Sequence, residues 1–238
     1  MRNAVVWFLC GLLFMFSLTG CSGQADQSAS SGPKPISDDM LGQDLHDALR
    51  HEWETFDSLS SEQKIHLGRL PGVCFQNFTD WAACEDFLGI TIPNPLEEAS
   101  WLDKGTYVGM PEDFLDALHV QASWFGTREG HVEWLSIQSG YQDDGISVVL
   151  YAMLYGDSAE GKSADSGWST ELARQSYLAN SDDSSVLLTE DSSEQYTAHT
   201  AYLVQDYVLY RVRVVGETHQ LAGIQEALAD ALAAFDAD

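Results

Sequence analysis

Basic residues are scarce in this chain of 238 residues, where 11 lysines and arginines stand against 37 aspartates and glutamates, a formal net charge of −26. A protein that binds nucleic acid uses lysine and arginine to displace counterions from the phosphates, so this imbalance argues against such a partner. Apolar residues make up 45% of the chain, which is enough for the core of an ordinary folded domain. The composition therefore predicts a folded, strongly acidic protein that does not bind nucleic acid.

Motifs for metal binding are missing as well. The seven histidines show no H-E-x-x-H pattern and no close spacing to cysteine, so we expect no metal and no cofactor. Three acidic pairs lack the spaced carboxylates of a calcium loop and indicate solvated surface; they are Asp143 with Asp144, Asp182 with Asp183, and Glu190 with Asp191.

Two short patterns resemble enzyme motifs but lack their context. Residues 156–163 match the phosphate-loop pattern G-x-x-x-x-G-K-S, yet turn-forming residues follow where a helix would have to hold the phosphates. Ser61 and Lys64 have the S-x-x-K spacing of penicillin-recognising enzymes, but the S-D-N and K-T-G elements of that family are absent. We interpret the first segment as a polar loop and Ser60 and Ser61 as helix-capping residues, so no catalytic residue is predicted.

Cysteine is also rare, with four in the chain, of which Cys74 and Cys84 lie beyond the N-terminal region. A disulfide between these two would close a loop of 11 residues and stabilise the fold by roughly 3 kcal/mol in the chain-entropy model. Two buried thiols are the other interpretation, since Cys84 lies in a predicted helix with an apolar face. The spacing leaves both alternatives open.

One long apolar run covers residues 4–18 and follows Arg2. As a helix, it would span about 22 Å, which is short of the roughly 30 Å hydrocarbon core of a bilayer. A basic residue followed by a short apolar run is typical of a secretory signal rather than of a membrane span. The run ends in Leu18-Thr19-Gly20-Cys21.

Leu18-Thr19-Gly20-Cys21 resembles the lipobox of bacterial lipoprotein signal peptides. In that family, a diacylglyceryl group is attached to the cysteine sulfur, and cleavage before the cysteine makes it the new N-terminus. The resemblance implies that residues 1–20 are a signal peptide, that Cys21 carries the lipid, and that the chain is anchored to the cell membrane on its extracytoplasmic face. The alternative is a plain signal peptide with a chance cysteine.

Residues 21–39 are rich in serine, glycine and proline and show no apolar period, which predicts a flexible linker with a span of about 25 Å. Cleavage before Cys21 would leave 10 basic and 37 acidic residues. Anionic lipid headgroups repel a domain of that charge, so a lipid anchor would hold it at the membrane against this repulsion.

Helical spacing of apolar residues predicts short helices across residues 38–90 and a closing helix over residues 221–235. In the N-terminal region, a second helix starts with a capping box at Ser60, and a third ends at Gly89. Thr218 is the capping candidate of the C-terminal helix.

Strand patterns separated by turns follow at residues 119–125, 131–138, 146–155, 196–204 and 207–215. Because residues 146–155 are nearly all apolar, we expect that strand to be central and covered on both faces. Helices, then antiparallel strands, then a closing helix predict an α+β fold. A single domain over residues 40–238 is expected, with an internal boundary or a long loop near 156–167.

Arg211 and Arg213 lie on one face of a predicted strand. Their guanidinium groups would suit a carboxylate or phosphate ligand, although pairing with acids across the sheet is favoured by the excess of acids. Six tryptophans follow the signal, and we expect most to pack in the core, with a sugar or peptide platform as the alternative. They are Trp53, Trp81, Trp101, Trp124, Trp134 and Trp168.

Three local patches and the C-terminal hairpin with its helix resemble uncharacterised domains of Gram-positive surface lipoproteins. The patches are Leu70-Pro71-Gly72, Trp81 and Asn94-Pro95-Leu96, and the hairpin and helix cover residues 196–235. The resemblance covers about half of the folded part, contains no catalytic motif and implies only a membrane-anchored module.

We therefore expect a non-catalytic module that binds a small ligand or an envelope protein. The alternatives are an extracytoplasmic hydrolase with dispersed site residues and an envelope sensor or regulator. A pocket with paired titratable groups of shifted pKa would favour the enzyme, and a groove rimmed by tryptophan would favour binding.

Replacing the lipid-bearing residue tests the anchor. Because the thiol of Cys21 is the group that would form the thioether, the Cys21→Ala variant should leave the membrane fraction and appear in the soluble fraction. Fractionation followed by immunoblotting measures this, with Cys74→Ala as a control that stays membrane-bound. Persistent membrane association of the Cys21 variant would contradict lipidation.

Overall fold

The computed structural model describes residues 36–66, 71–104, 119–156, 186–205 and 208–236. All of them belong to one compact unit, Ser31–Asp238. The predicted signal peptide, the lipobox with Cys21, Trp168, the pair Asp182 and Asp183, and residues 157–163 of the predicted polar loop lie outside the described residues.

The described residues form an antiparallel sheet together with α-helices, which confirms the predicted α+β class. The helices are α1 (Gln43–Ser58), α2 (Ser61–His66), α3 (Trp81–Leu88) and α4 (Leu221–Ala233). The strands are β1 (Val73–Phe78), β2 (Asp103–Lys104), β3 (Val120–Gly126), β4 (Val132–Asp143), β5 (Ile146–Tyr155), β6 (Leu187–Ser192), β7 (Tyr196–Gln205) and β8 (Val208–Glu217). Single 3-10 turns cover Asp38–Met40, Thr218–Gln220 and Ala234–Asp236.

The sheet has the strand order β1-β3-β4-β5-β8-β7-β6, and the short β2 pairs with the end of β4. The pairs β3–β4, β4–β5 and β7–β8 are neighbours both in sequence and in the sheet, as the predicted meander requires. β5 lies in the middle of this order, and nine of its ten residues are buried. The prediction of a central strand with both faces covered is therefore confirmed.

One face of the sheet carries the main core. Alternate residues of β5 and β8 point to this face because successive side chains of a strand point to opposite sides. They pack in one cluster with the buried faces of α1, α3 and α4. The strand residues of the cluster include Leu150, Ala152 and Leu154 of β5 and Tyr210, Val212 and Val214 of β8. The opposite face holds a smaller cluster of Trp134, Met153, Tyr155, Tyr202 and Leu209.

The first described residues pack against the sheet. Ile36 is 3% exposed, and its N–H donates to the carbonyl of Tyr155 at 2.8 Å. The Asp38 carboxylate accepts from the N–H of Val132 at 2.8 Å and contacts Nδ1 of His131 at 2.7 Å. The packed part of the chain therefore begins at Ile36, four residues before the predicted start of the domain at residue 40.

The N-terminal helices follow their sequence signals. Ser60 and Gln63 form the predicted capping box, in which each side chain bonds the other residue's N–H. The Asp80 carboxylate caps α3 by accepting from the N–H of Ala83 at 2.8 Å, and this bond lowers the pKa of Asp80. Gly89 ends α3 at a φ of 72°, which glycine adopts without strain.

The structure corrects three expectations. Residues 73–78, expected within the helical region, form β1, because pairing with β3 and contacts of Cys74 and Phe78 with the core override the local signal. Thr218 does not cap α4: Glu217 and Gln220 form a capping box around the 3-10 turn that precedes the helix. β6 was not predicted, since its sequence is mostly polar and it lies at the edge of the sheet.

A search of the described residues finds no helix with the length and apolar character that a membrane crossing requires.

Truncating a core leucine tests the packing of α1 on the sheet. Leu49 is 1% exposed, so Leu49→Ala should lower the free energy of unfolding by about 2–5 kcal/mol through lost apolar burial and a residual cavity. Leu188 is 61% exposed, and Leu188→Ala should change it by no more than about 0.5 kcal/mol. Urea denaturation measures both, and equal losses would contradict this assignment of the core.

Candidate functional site

A cavity of about 770 Å³ lies between the loop of residues 93–101 and the C-terminal end of α4. We call it the α4 cavity. Asp230 and Ala233 of α4 and Ala234 of the 3-10 turn that follows it form one wall. The loop forms the other walls with Pro93, Asn94, Pro95, Glu97, Glu98, Ala99, Ser100 and Trp101. Its volume lies within the range of roughly 300–1,000 Å³ that small-molecule sites occupy.

Hydrogen bonds from the sheet hold the loop in place. The hydroxyl of Tyr210 in β8 donates to the carbonyl of Pro93 at 2.8 Å. The side-chain amide of Asn94 donates to the hydroxyl of Tyr141 in β4 at 2.9 Å, while its side-chain carbonyl accepts from the N–H of Leu96 at 3.1 Å. The side chain of Leu96 is fully buried. The loop is therefore held both by these hydrogen bonds and by the packing of Leu96 in the core.

A second set of bonds fixes the start of the loop to α3. The indole N–H of Trp81 donates to the carbonyl of Ile92 at 2.8 Å, and the Glu85 carboxylate accepts from the N–H of Ile92 at 2.6 Å. On the opposite wall, the rings of Tyr210 and Phe235 meet edge to face at 5.1 Å and hold the end of α4 against the sheet. Both walls of the α4 cavity are therefore positioned by the core.

The electrostatic character of the α4 cavity is negative. Three carboxylates line it, from Glu97, Glu98 and Asp230, and its lining contains no lysine, arginine or histidine. The last turn of α4 also lies in the wall and has no basic residue, so the partial negative charge of the helix C-terminus adds to the carboxylates.

The pKa of Glu97 reflects this environment. Loss of hydration raises the pKa of this carboxyl above its ordinary value, and the negative charges of Glu85, Asp80 and Glu98 raise it further, while Lys104 acts in the opposite direction. Burial likewise raises the pKa of Tyr141, against the opposing effect of its bonds with Ser139 and Asn94. Within the lining, a bound positive charge would therefore stabilise the ionised form of Glu97.

A second cleft, of about 460 Å³, lies between α1 and the turn that joins β3 to β4. The Arg128 guanidinium pairs with Asp57 and lies 4.9 Å from the centre of the Trp53 ring. The indole N–H of Trp53 donates to the carbonyl of Gly126 at 3.1 Å. These contacts join the β3–β4 hairpin to α1. The polar groups of Arg128, Asp57 and Trp53 therefore stabilise the fold.

The arginines proposed from the sequence lie on β8, on the sheet face opposite the helices. The guanidinium carbon of Arg211 lies 3.7 Å from the centre of the Tyr151 ring, and Tyr202 is its neighbour on the other side. Val149 and Thr200 flank Arg213. The residues directly opposite the two arginines therefore include no acid, and neither arginine lines the α4 cavity.

Cys74 and Cys84 are free thiols in the structure, and the disulfide between them stays a prediction. Cys84 is fully buried, and burial raises the pKa of its thiol to about 12. A thiol with so high a pKa is a weak nucleophile at neutral pH. The structure therefore provides no support for a reactive cysteine at position 84.

Among the tryptophans within the described residues, Trp81, Trp124 and Trp134 are buried as expected. Trp53 and Trp101 are half-buried, and each lines a cavity.

The ammonium group of Lys64 donates to the carbonyl of Asp57, which agrees with a structural role for the S-x-x-K segment.

Sequence reasoning missed the three acids of the α4 cavity. Asp230 lies in the predicted C-terminal helix, and none of the three acids lies in a recognisable motif. The sequence feature that could have pointed to this loop is the combination of Pro93, Pro95 and Trp101. Two prolines with a nearby tryptophan in a loop indicate a rigid, partly apolar surface.

No group of three or more histidine, cysteine, aspartate or glutamate side chains within the described ranges lies close enough together to hold a metal ion.

Removing one hydroxyl tests the attachment of the loop to the sheet. Tyr210→Phe keeps the ring in the core but leaves the Pro93 carbonyl without its donor, so the free energy of unfolding should fall by about 1–2 kcal/mol. Tyr196→Phe, at an exposed position, should have almost no effect. Chemical denaturation measures the difference, and a Tyr210 variant as stable as the parent would show that the bond does not hold the loop.

Comparison with known proteins yields no match: no family model, no curated protein and no solved structure is similar to the chain.

Proposed function

We propose that this chain is a lipoprotein of the bacterial cell envelope that binds a small ligand without catalysis. In this proposal, Cys21 carries the lipid, the membrane anchor lies on the extracytoplasmic face, and the α4 cavity is the binding site. The observation that carries the proposal is the cavity itself, which has the volume of a small-molecule site and walls held by the core.

The lining of the α4 cavity favours binding over hydrolysis. Ser100 supplies its one hydroxyl side chain, and no histidine or cysteine lies in the lining to act as a base or a nucleophile.

The concave form of the site favours a small ligand over a partner protein. Docked proteins usually meet a broad surface with an apolar centre, whereas this site is a cavity with mixed polar and apolar walls. The half-buried indole of Trp101 and the two prolines supply the apolar part. Ser100 and the carboxylates supply polar groups that would orient a ligand.

Blocking the cavity tests the proposal. The full chain in detergent micelles is screened by ligand-observed NMR against a fragment set that contains cations, anions and neutral molecules. Ala233→Trp should abolish binding of at least one fragment, because the added indole occupies the cavity next to α4.

The control is Ala222→Trp, an exposed position at the other end of the same helix, which should leave binding unchanged. Circular dichroism checks that both variants keep the fold. The proposed site is wrong if every fragment that binds the parent chain binds the Ala233 variant equally well, or if none binds the parent chain.

A further inference from the structure

The α4 cavity is walled on both sides by groups that favour positive charge. Glu97 and Glu98 lie on the loop, and Asp230 faces the same volume from α4. The C-terminal end of α4 contributes its own partial negative charge to this wall. No cationic side chain of the lining neutralises these groups.

Trp101 adds a feature that is independent of the acids. The face of an indole attracts a cation through its quadrupole, and tryptophan is the most effective of the aromatic residues in this role. Trp101 is half-buried and lines the same volume as the carboxylates. An aromatic wall with carboxylates around it suits a cation that also has an apolar surface.

The arrangement of the acids disfavours a bare metal ion. A metal needs several ligand atoms within its first coordination shell, and the described residues contain no such group. A cavity of about 770 Å³ with separated carboxylates instead has room for an ion surrounded by carbon atoms.

We infer that the α4 cavity binds an organic ammonium ion, held by Glu97, Glu98 and Asp230 and stacked on Trp101. The inference rests on the proposed function, because it assigns a ligand class to that same site. The raised pKa of Glu97 agrees with it, since a bound ammonium group would add positive charge beside this carboxylate and favour its ionised form. The net charge of −26 would also raise the local concentration of cations and speed their association.

The test compares molecules of one shape that differ in charge. Choline and 3,3-dimethylbutan-1-ol are isosteres, the first with a quaternary ammonium and the second with a neutral carbon at the same position. Butylamine and pentane provide a second pair with a primary ammonium, and Nα-acetyl-lysine methylamide represents the ammonium of a peptide side chain. Calorimetric titration of the full chain in detergent micelles should show that at least one ammonium compound binds about tenfold more tightly than its neutral partner.

Variants of the lining separate the cavity from the general field of the chain. Asp230→Asn should weaken ammonium binding by about threefold to tenfold, whereas Glu226→Gln removes the same charge from an exposed site of α4 outside the lining and should have a much smaller effect. Trp101→Leu should weaken binding by about threefold, and Trp101→Phe should retain most of it because the ring face is kept. Circular dichroism again checks the fold of each variant.

The outcomes distinguish the two proposals. If neutral isosteres bind as tightly as the ammonium compounds and Ala233→Trp blocks both, the cavity is a binding site and the ligand class is wrong. If no ammonium compound binds, the ligand class is wrong, and the fragment screen decides separately whether the cavity binds any ligand. Equal effects of Asp230→Asn and Glu226→Gln would assign the attraction to the net charge of the chain rather than to the cavity. Binding of the lysine derivative alone would indicate a peptide source for the ammonium group.

Discussion

The apolar faces of β5 and β8 must be covered, because their side chains lose water contact only when a second layer packs on them. In this protein α1, α3 and α4 provide that layer, and they contribute to one continuous core with the strands. α4 contacts β5, β7 and β8, whereas α1 and α3 contact β1 and β3 at the other end of the strand order. Removing the layer would expose the largest part of the core to water.

The same layer produces the candidate site. Tyr141 and Tyr210 bury their rings on the helix-covered face, and their hydroxyls reach the loop of residues 93–101 at the edge of that core. A slip of one residue in either strand would turn these hydroxyls to the opposite face of the sheet. Strand register therefore fixes the loop, and the end of α4, which packs on the same strands, completes the α4 cavity.

Charge has two separate consequences in this chain. The excess of acids repels anionic lipid surfaces, which makes a covalent lipid at Cys21 a useful means of attachment in the proposed function. In the folded domain, Arg50 and Arg128 form ion pairs with Asp47 and Asp57 near α1. The acids of the α4 cavity have no such cation within the lining, and this local imbalance, rather than the net charge, is what would select a ligand.

Much of the secondary structure follows from the sequence alone, since the periods of the apolar residues and the capping residues are local signals. The apolar run of β5 indicates a central strand, and Ser60 with Gln63 and Gly89 mark helix ends that the structure reproduces. β1 and β6 escaped detection because edge strands are stabilised by pairing with a neighbour, and a short or polar segment carries little pattern of its own. The resemblance of residues 18–21 to a lipobox is likewise a local pattern, and the composition by itself argues against a nucleic-acid partner.

The candidate site was decided by the tertiary structure. Glu97 and Asp230 are separated by most of the folded chain, and each reads as an ordinary surface acid in its own segment. They line one volume because Tyr210 holds the loop at Pro93 and also holds α4 through Phe235. Periodicity and capping report on neighbours in the sequence, whereas a cavity depends on packing between distant segments, and that packing has no local signature.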